Sequence, residues 1–211
     1  MKSLLHILTI TTLTITFAFT ATATDYDDMP SMYNGYVVTV KGDTVTGQIQ
    51  MLSPALNEIK VKLIAANGEK QIFKAKEVKK YAFQIPAYNK VTKKRGMEWI
   101  TYVRKKVQEA PIPFGPKDVL LERPVTGKIS VYNHYVESRA AQHAHNHFFY
   151  LETGKETIRV NRKNFKSVLK DLVADYPELE AKVGKRGYGY RYVAKIVKEY
   201  NEYNATKGVE F

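Results

Sequence analysis

The 211-residue chain has no cysteine and one tryptophan, and its acidic residues are outnumbered by basic ones, 21 against 33. The missing cysteines remove disulfides, thiolate nucleophiles and cysteine-bound metals, so the fold must rest on packing alone. They also remove the residue on which a lipoprotein is acylated. Catalytic signatures are missing too. There is no Gly-x-Ser-x-Gly elbow and no His-Glu-x-x-His pair. Gly184-Lys185-Arg186 lacks the spacing of a phosphate loop and reads as a helix-ending linker. Glu178 and Glu180 stand two apart on a short helical stretch and diverge, so they make no acid/base pair. After the first twenty residues no apolar run is long enough to cross a bilayer.

That first segment has the form of an export signal. Lys2 gives a positive start, Leu4 to Phe19 an apolar stretch, and Ala21-Thr22-Ala23 a small-x-small cleavage site. The expectation is a signal peptide over 1–23 and an exported chain, periplasmic or extracellular, with no membrane span after cleavage and no lipid anchor. Residues 24–34 carry Asp25, Asp27 and Asp28 and read as an acidic, mobile leader.

From Gly35 the apolar period is two. Tyr36, Val38 and Val40 share one face, as do Val45, Ile49 and Met51, with Gly42-Asp43 as the turn between them. Ile59, Val61 and Leu63 alternate with Glu58, Lys60 and Lys62 before Asn67-Gly68 turns the chain toward Gln71–Lys74. Further strands are expected over Val78–Ile85, Met97–Val103, Val119–Arg123, Lys128–Val136, His147–Glu152 and Thr157–Val160, the last pair turning at Thr153-Gly154. The proline-rich run at 110–116 is the best internal break. The period then becomes helical. Phe165, Val168, Leu169, Leu172 and Val173 follow the possible caps Asn161 and Asn164. Pro177 opens a short helix that ends at Gly184, and Val193, Ile196, Val197 and Tyr200 make the stripe of a third. The predicted fold is α+β. An antiparallel meander or small barrel of about eight strands spans 35–160, and about three helices in 161–211 pack on the sheet.

Three segments resemble a group of secreted proteins of Bacteroidota: GYVVTVKGDTVTGQI at 35–49, FFYLETGKETIRVNRKNFKSVLKDLVADYPELEAKV at 148–183 and YRYVAKIVKEYN at 190–201. The shared pattern is a hairpin turning at Lys-Gly-Asp-Thr and, much later, a Tyr-Leu strand followed by helices. The resemblance implies a location in the cell envelope. It assigns no activity and no catalytic residue.

Two clusters could carry chemistry. His134, His143, His145 and His147 are the histidines beyond the signal segment. Alternate positions on a strand put imidazoles on one face about 6.6 Å apart, a spacing from which neighbours can meet one zinc ion. His134 would join across the hairpin, giving a divalent-metal site or a metal-dependent hydrolase, with Glu137 the nearest carboxylate. The alternative is a solvated, histidine-rich loop. The second cluster is basic. Residues 35–110 carry a net charge of +9, much of it at Lys74, Lys76, Lys79, Lys80, Lys93, Lys94, Arg95, Arg104, Lys105 and Lys106. Such a field attracts polyanions, although lysines also protect exposed strand edges. Behind an export signal it points to an anionic envelope component rather than to intracellular nucleic acid. The fifteen tyrosines are expected mainly to fill sheet faces and helix seams. The expectation is a non-enzymatic binding or accessory module with a basic contact face and no cofactor. The rivals are the metal site and a helical surface docked on an outer-membrane protein through an exposed Val193–Tyr200 stripe.

Overall fold

The computed structural model describes residues 31–89, 93–107, 117–137, 145–154 and 156–207. The expected signal peptide, the break at 110–116 and His143 lie outside the described residues. Ten strands form one antiparallel sheet: β1 (Met32–Thr39), β2 (Thr44–Gln50), β3 (Lys60–Ala65), β4 (Lys70–Lys74), β5 (Val78–Asn89), β6 (Lys94–Val107), β7 (Lys117–Val125), β8 (Ser130–Glu137), β9 (His145–Glu152) and β10 (Thr157–Val160). Their order across the sheet is β10-β9-β8-β7-β6-β5-β1-β2-β3-β4. Two meanders, β1 to β4 and β5 to β10, are therefore joined where β5 pairs with β1. The hairpin turns expected from sequence carry the positive φ that glycine tolerates, at Gly42, Gly68 and Gly154.

The sheet is open, with β4 and β10 as its edges. Of the two expected forms, meander or small barrel of about eight strands, the barrel is corrected, since among the described residues ten strands form the sheet and its outermost two are not paired to each other. The leader is also shorter than expected. Met32, Tyr33 and Asn34 already pair with Gln50, Ile49 and Gln48, so β1 begins inside the stretch assigned to the leader, four residues after its last acid, Asp28. The sequence on both sides of 110–116 belongs to this one sheet, for β6 and β7 pair from Tyr102↔Glu122 to Val107↔Lys117.

Although open, the sheet rolls over on itself. The short helix α1 (Pro54–Ile59) lies between β2 and β3, yet it packs against β7 and β8. Those strands lie four and five positions from β2 in the sheet order, about 19–24 Å along a flat sheet. At the contact β7 and β8 have parted, being paired only at Glu122↔Asn133 and Val125↔Val131. Between those pairs two β7 residues, Arg123 and Pro124, face the single β8 residue Tyr132, and proline cannot donate to a ladder. Helix α1 plugs the fork. Glu58 accepts hydrogen bonds from the Tyr135 backbone N–H and from His134, both at 2.6 Å, replacing strand partners with a carboxylate. The strand pattern had placed Glu58 at a solvent-facing position and Ile59 inside. The structure reverses both, with Glu58 2% exposed and Ile59 51% exposed, because helical geometry turns the chain before β3 starts at Lys60.

Strand alternation divides the sheet into two faces. The inner face carries Val37, Ile49, Leu63, Phe83, Tyr102 and Leu120 in one core, where the roll closes on itself. Farther along, the same face carries Val131, Phe149, Leu151 and Val160, covered by α2 (Phe165–Leu172), α3 (Pro177–Glu180) and α4 (Val193–Lys207). A smaller cluster of Val107, Val119, Leu121, Tyr132 and Tyr150 lies on the outer face of β6 to β9. The α4 stripe Val193, Ile196, Val197 and Tyr200 is buried in the helix–sheet core, so it offers no exposed face to a partner. Asn201 fastens this helix to the β7–β8 turn. Its side chain accepts from the Ile129 N–H at 3.0 Å and donates to the Ile129 carbonyl at 2.8 Å. At the start of α2 the two asparagines hold each other. Asn164 accepts from the Asn161 N–H, while Asn161 accepts from the N–H groups of Lys163 and Asn164.

Candidate polyanion-binding face

The register sorts the charges between the two faces. On the outer face stand Lys60 and Lys62 of β3, Lys70 and Lys74 of β4, Lys80 of β5, Arg95 and Lys105 of β6, Arg123 of β7 and Arg159 of β10. Among the described strand residues the acid on this face is Glu152, and it is engaged. Its carboxylate takes an ion pair from Lys105 and a 2.7 Å hydrogen bond from the Tyr132 hydroxyl. These bonds hold the Glu152 pKa below the ordinary carboxylate value. The acids Glu98, Asp118 and Glu122 alternate to the inner side. Unpaired cations spread over one side of a sheet produce a one-signed field.

One part of this face adds exposed aromatics. Beyond Phe83 strand β5 has lost β1, and before Tyr102 strand β6 has not yet met β7. Gln84–Asn89 and Lys94–Trp99 therefore project as a two-stranded arm about 20 Å long. Its outer side pairs Tyr88 with Arg95, Pro86 with Met97 and Gln84 with Trp99. Tyr88, Met97 and Trp99 are each at least half exposed, at 57%, 57% and 50%. Trp99 leans on Tyr36 with ring centroids 5.6 Å apart, and the Lys80 ammonium lies 5.8 Å from the Tyr36 ring. The result is a strip of flat apolar groups flanked by Lys80 and Arg95. Large side chains left in water on a protruding ribbon are uncommon without a contact to make.

The basic residues singled out from sequence do not all share this face. Lys80 and Arg95 lie on it, and Lys93 and Lys94 stand at the tip of the arm, with Lys93 at φ 53°. Lys74 lies on it as well, near the β4 edge. Lys105 is also there but is bound to Glu152. Arg104 and Lys106 alternate to the inner side, where Arg104 donates to the Lys76 carbonyl at 3.2 Å and so pins the 3-10 turn Ala75–Glu77. Lys79 is the extra residue of a bulge, between Thr39↔Val78 and Val38↔Lys80. A contact surface drawn as one run from Lys74 to Lys106 is thus corrected by strand alternation, which sends neighbouring residues to opposite faces. Lys60, Lys62 and Lys70, together with Trp99, Met97 and Tyr88, were missed. Their signal was the period-two placement of Arg95, Met97 and Trp99 and of the β3 lysines.

The histidines are divided in the same way. His134 pairs with Phe148 and His147 with Tyr135, so the two imidazoles face opposite sides of the β8–β9 ribbon. His134 is buried against Glu58, not Glu137. On the inner side, Asn133 donates its amide to Glu122 at 3.1 Å, and its oxygen faces His147 Nε2 at 3.2 Å. That geometry puts the ring proton on Nε2. Tyr135 stacks on the other side of the imidazole at 4.7 Å. Burial, then the nearby His134, lower the His147 pKa. Burial, opposed by the Asn133 bond and reinforced by Glu98, raises that of Glu122. Tyr135 is pushed up to about 12 by burial and by Glu122 and Glu58. No group of three metal-ligating side chains occurs among the described residues. His134 cannot join His147 at one ion, because the ribbon stands between them. His143 lies outside the described residues, as does the His145 side chain.

Comparison with protein families, with curated proteins and with solved structures found no match to this chain. Among the described residues no helix is long and apolar enough to cross a membrane.

Proposed function

We propose that this chain is an exported, non-enzymatic binding module of the cell envelope whose outer sheet face holds an anionic glycan. The observation that carries the proposal is the pairing of a one-signed outer face with the exposed Trp99–Met97–Tyr88 strip, which leans on half-buried Tyr36. Sugar rings present apolar C–H faces to aromatic rings, and their carboxylate, phosphate or sulfate groups would meet Lys80, Arg95 and the β3–β4 lysines. The N-terminal export pattern and the likeness to secreted Bacteroidota proteins support an envelope setting.

The test is equilibrium binding of a heparin-like chain, a phosphorylated glycan and a neutral glycan over a salt series. The anionic chains should bind with affinity that falls steeply as salt rises, because counterions are released at each contact. The neutral glycan should bind far more weakly. Equal binding of all three, or affinity indifferent to salt, would overturn the proposal.

A further inference from the structure

At the other end of the sheet a separate open pocket of about 760 Å³ lies between the start of β9, the turn before α2 and the 3-10 turn Tyr190–Tyr192. Arg162, Lys163 and Arg191 line it, and its lining contains no carboxylate. No acid among the described residues lies within ion-pair distance of these three cations. The floor is held rigidly. The Tyr190 hydroxyl donates to the His147 carbonyl at 2.6 Å, and its ring meets those of Phe149 and Phe165 edge to face. The Arg162 guanidinium lies 5.9 Å from the centre of the same ring. His147, another wall, is fixed by Asn133 and Tyr135. Burial lowers the His147 pKa, and the formal positive charge of the lining is that of the two arginines and the lysine.

We infer that this pocket binds a phosphomonoester carried on a small polar ligand. Three unpaired cations suit a group with a charge near −2 better than a monoanion, and guanidinium groups can engage two phosphate oxygens at once. The volume exceeds that of a bare phosphate and leaves space for a group the size of a sugar. Asn146 and Asn161, also in the wall, supply polar groups for its hydroxyls. The site shares no residue with the outer face of the β5–β6 arm.

The test is calorimetric titration of the full mature chain at low salt with inorganic phosphate, a hexose phosphate, the same hexose sulfated and the unmodified hexose. The hexose phosphate should bind at least tenfold more tightly than either the sulfated or the unmodified hexose. Inorganic phosphate should compete with it. Arg162→Gln combined with Arg191→Gln should weaken the hexose phosphate at least tenfold while thermal melting shows the fold retained. Lys163→Gln, at an exposed position, provides a milder variant if the double one melts early. Trp99→Ala should leave this binding unchanged, which separates the pocket from the glycan face. Binding of the phosphate no tighter than of the sulfate or the unmodified hexose overturns the inference. So does binding that survives the arginine substitutions.

Discussion

Replacing Glu58 by alanine should cost about 2–6 kcal/mol, because it leaves two buried donors, His134 and the Tyr135 N–H, without this acceptor at about 1–3 kcal/mol each. Glu58 and His134 are each 2% exposed, so water cannot take over the missing contacts. The carboxylate makes two short bonds, to His134 Nδ1 and to the Tyr135 N–H, both 2.6 Å. Charge-assisted bonds contribute about 1.5–3 kcal/mol each, which gives a similar total. Glu58→Gln should cost less, about 1–2 kcal/mol, because the amide oxygen can still accept from Tyr135. The assay is urea unfolding followed by circular dichroism. A cycle with His134→Ala should show the two alanine substitutions non-additive by about 1.5 kcal/mol or more, since the first already breaks the pair. A cost of Glu58→Ala below about 1 kcal/mol, or additivity of the two, would refute the view that this pair closes the β7–β8 fork.

Three further outcomes follow from single contacts. Gly35→Ala would put a Cβ 2.3 Å from the Ala82 carbonyl oxygen and 2.9 Å from the Ile49 and Phe83 side chains; a loss of about 1–3 kcal/mol is expected in urea unfolding. Asn201→Ala leaves both backbone groups of Ile129 without their partner and should cost about 1–3 kcal/mol, with faster amide exchange at the β7–β8 turn. The Glu122 carboxyl has a pKa raised chiefly by burial, so the folded state holds this proton more tightly than the unfolded one. Its contribution to stability therefore diminishes as pH rises from the ordinary carboxylate value through the raised one. Glu122→Gln should be more stable than the parent at pH 7, and the difference should shrink as pH is lowered through the raised value to the ordinary one. A difference of constant size across that window would show that burial does not set the titration.

Much of the framework was legible in the sequence because it depends on local rules. The strand pairs around Gly42, Gly68 and Gly154 follow from alternation and from turn residues that accept positive φ. The stripe of Val193, Ile196, Val197 and Tyr200 follows from helical spacing. Long-range features did not show. Nothing near Glu58 reveals that it will meet His134, a contact created only when the sheet rolls. The six residues of α1 are too few to break a strand pattern, so Ile59 was placed inside. Of the candidate site, the excess of charge was visible and its arrangement was not. Lysines that are neighbours in sequence, such as Lys105 and Lys106, leave the strand in opposite directions. The exposure of Trp99 depends on β5 and β6 running on together beyond β1 and β7, which composition does not encode.

Trp99 is the one tryptophan of the chain, and it stands half exposed on the proposed contact strip. Its emission therefore reports on that face without a label. The decisive measurement is its fluorescence titration with a heparin-like glycan at several salt concentrations, for the parent chain and for Lys80→Gln combined with Arg95→Gln. A glycan held on this strip should produce a saturable change in Trp99 emission whose midpoint shifts to higher glycan concentration with salt. By analogy with phosphate contacts, the double variant should have a log–log salt slope lower by about 2, for the two lost ionic contacts. Binding detected by calorimetry without any change at Trp99, or an unchanged salt slope in the variant, would contradict binding at this strip.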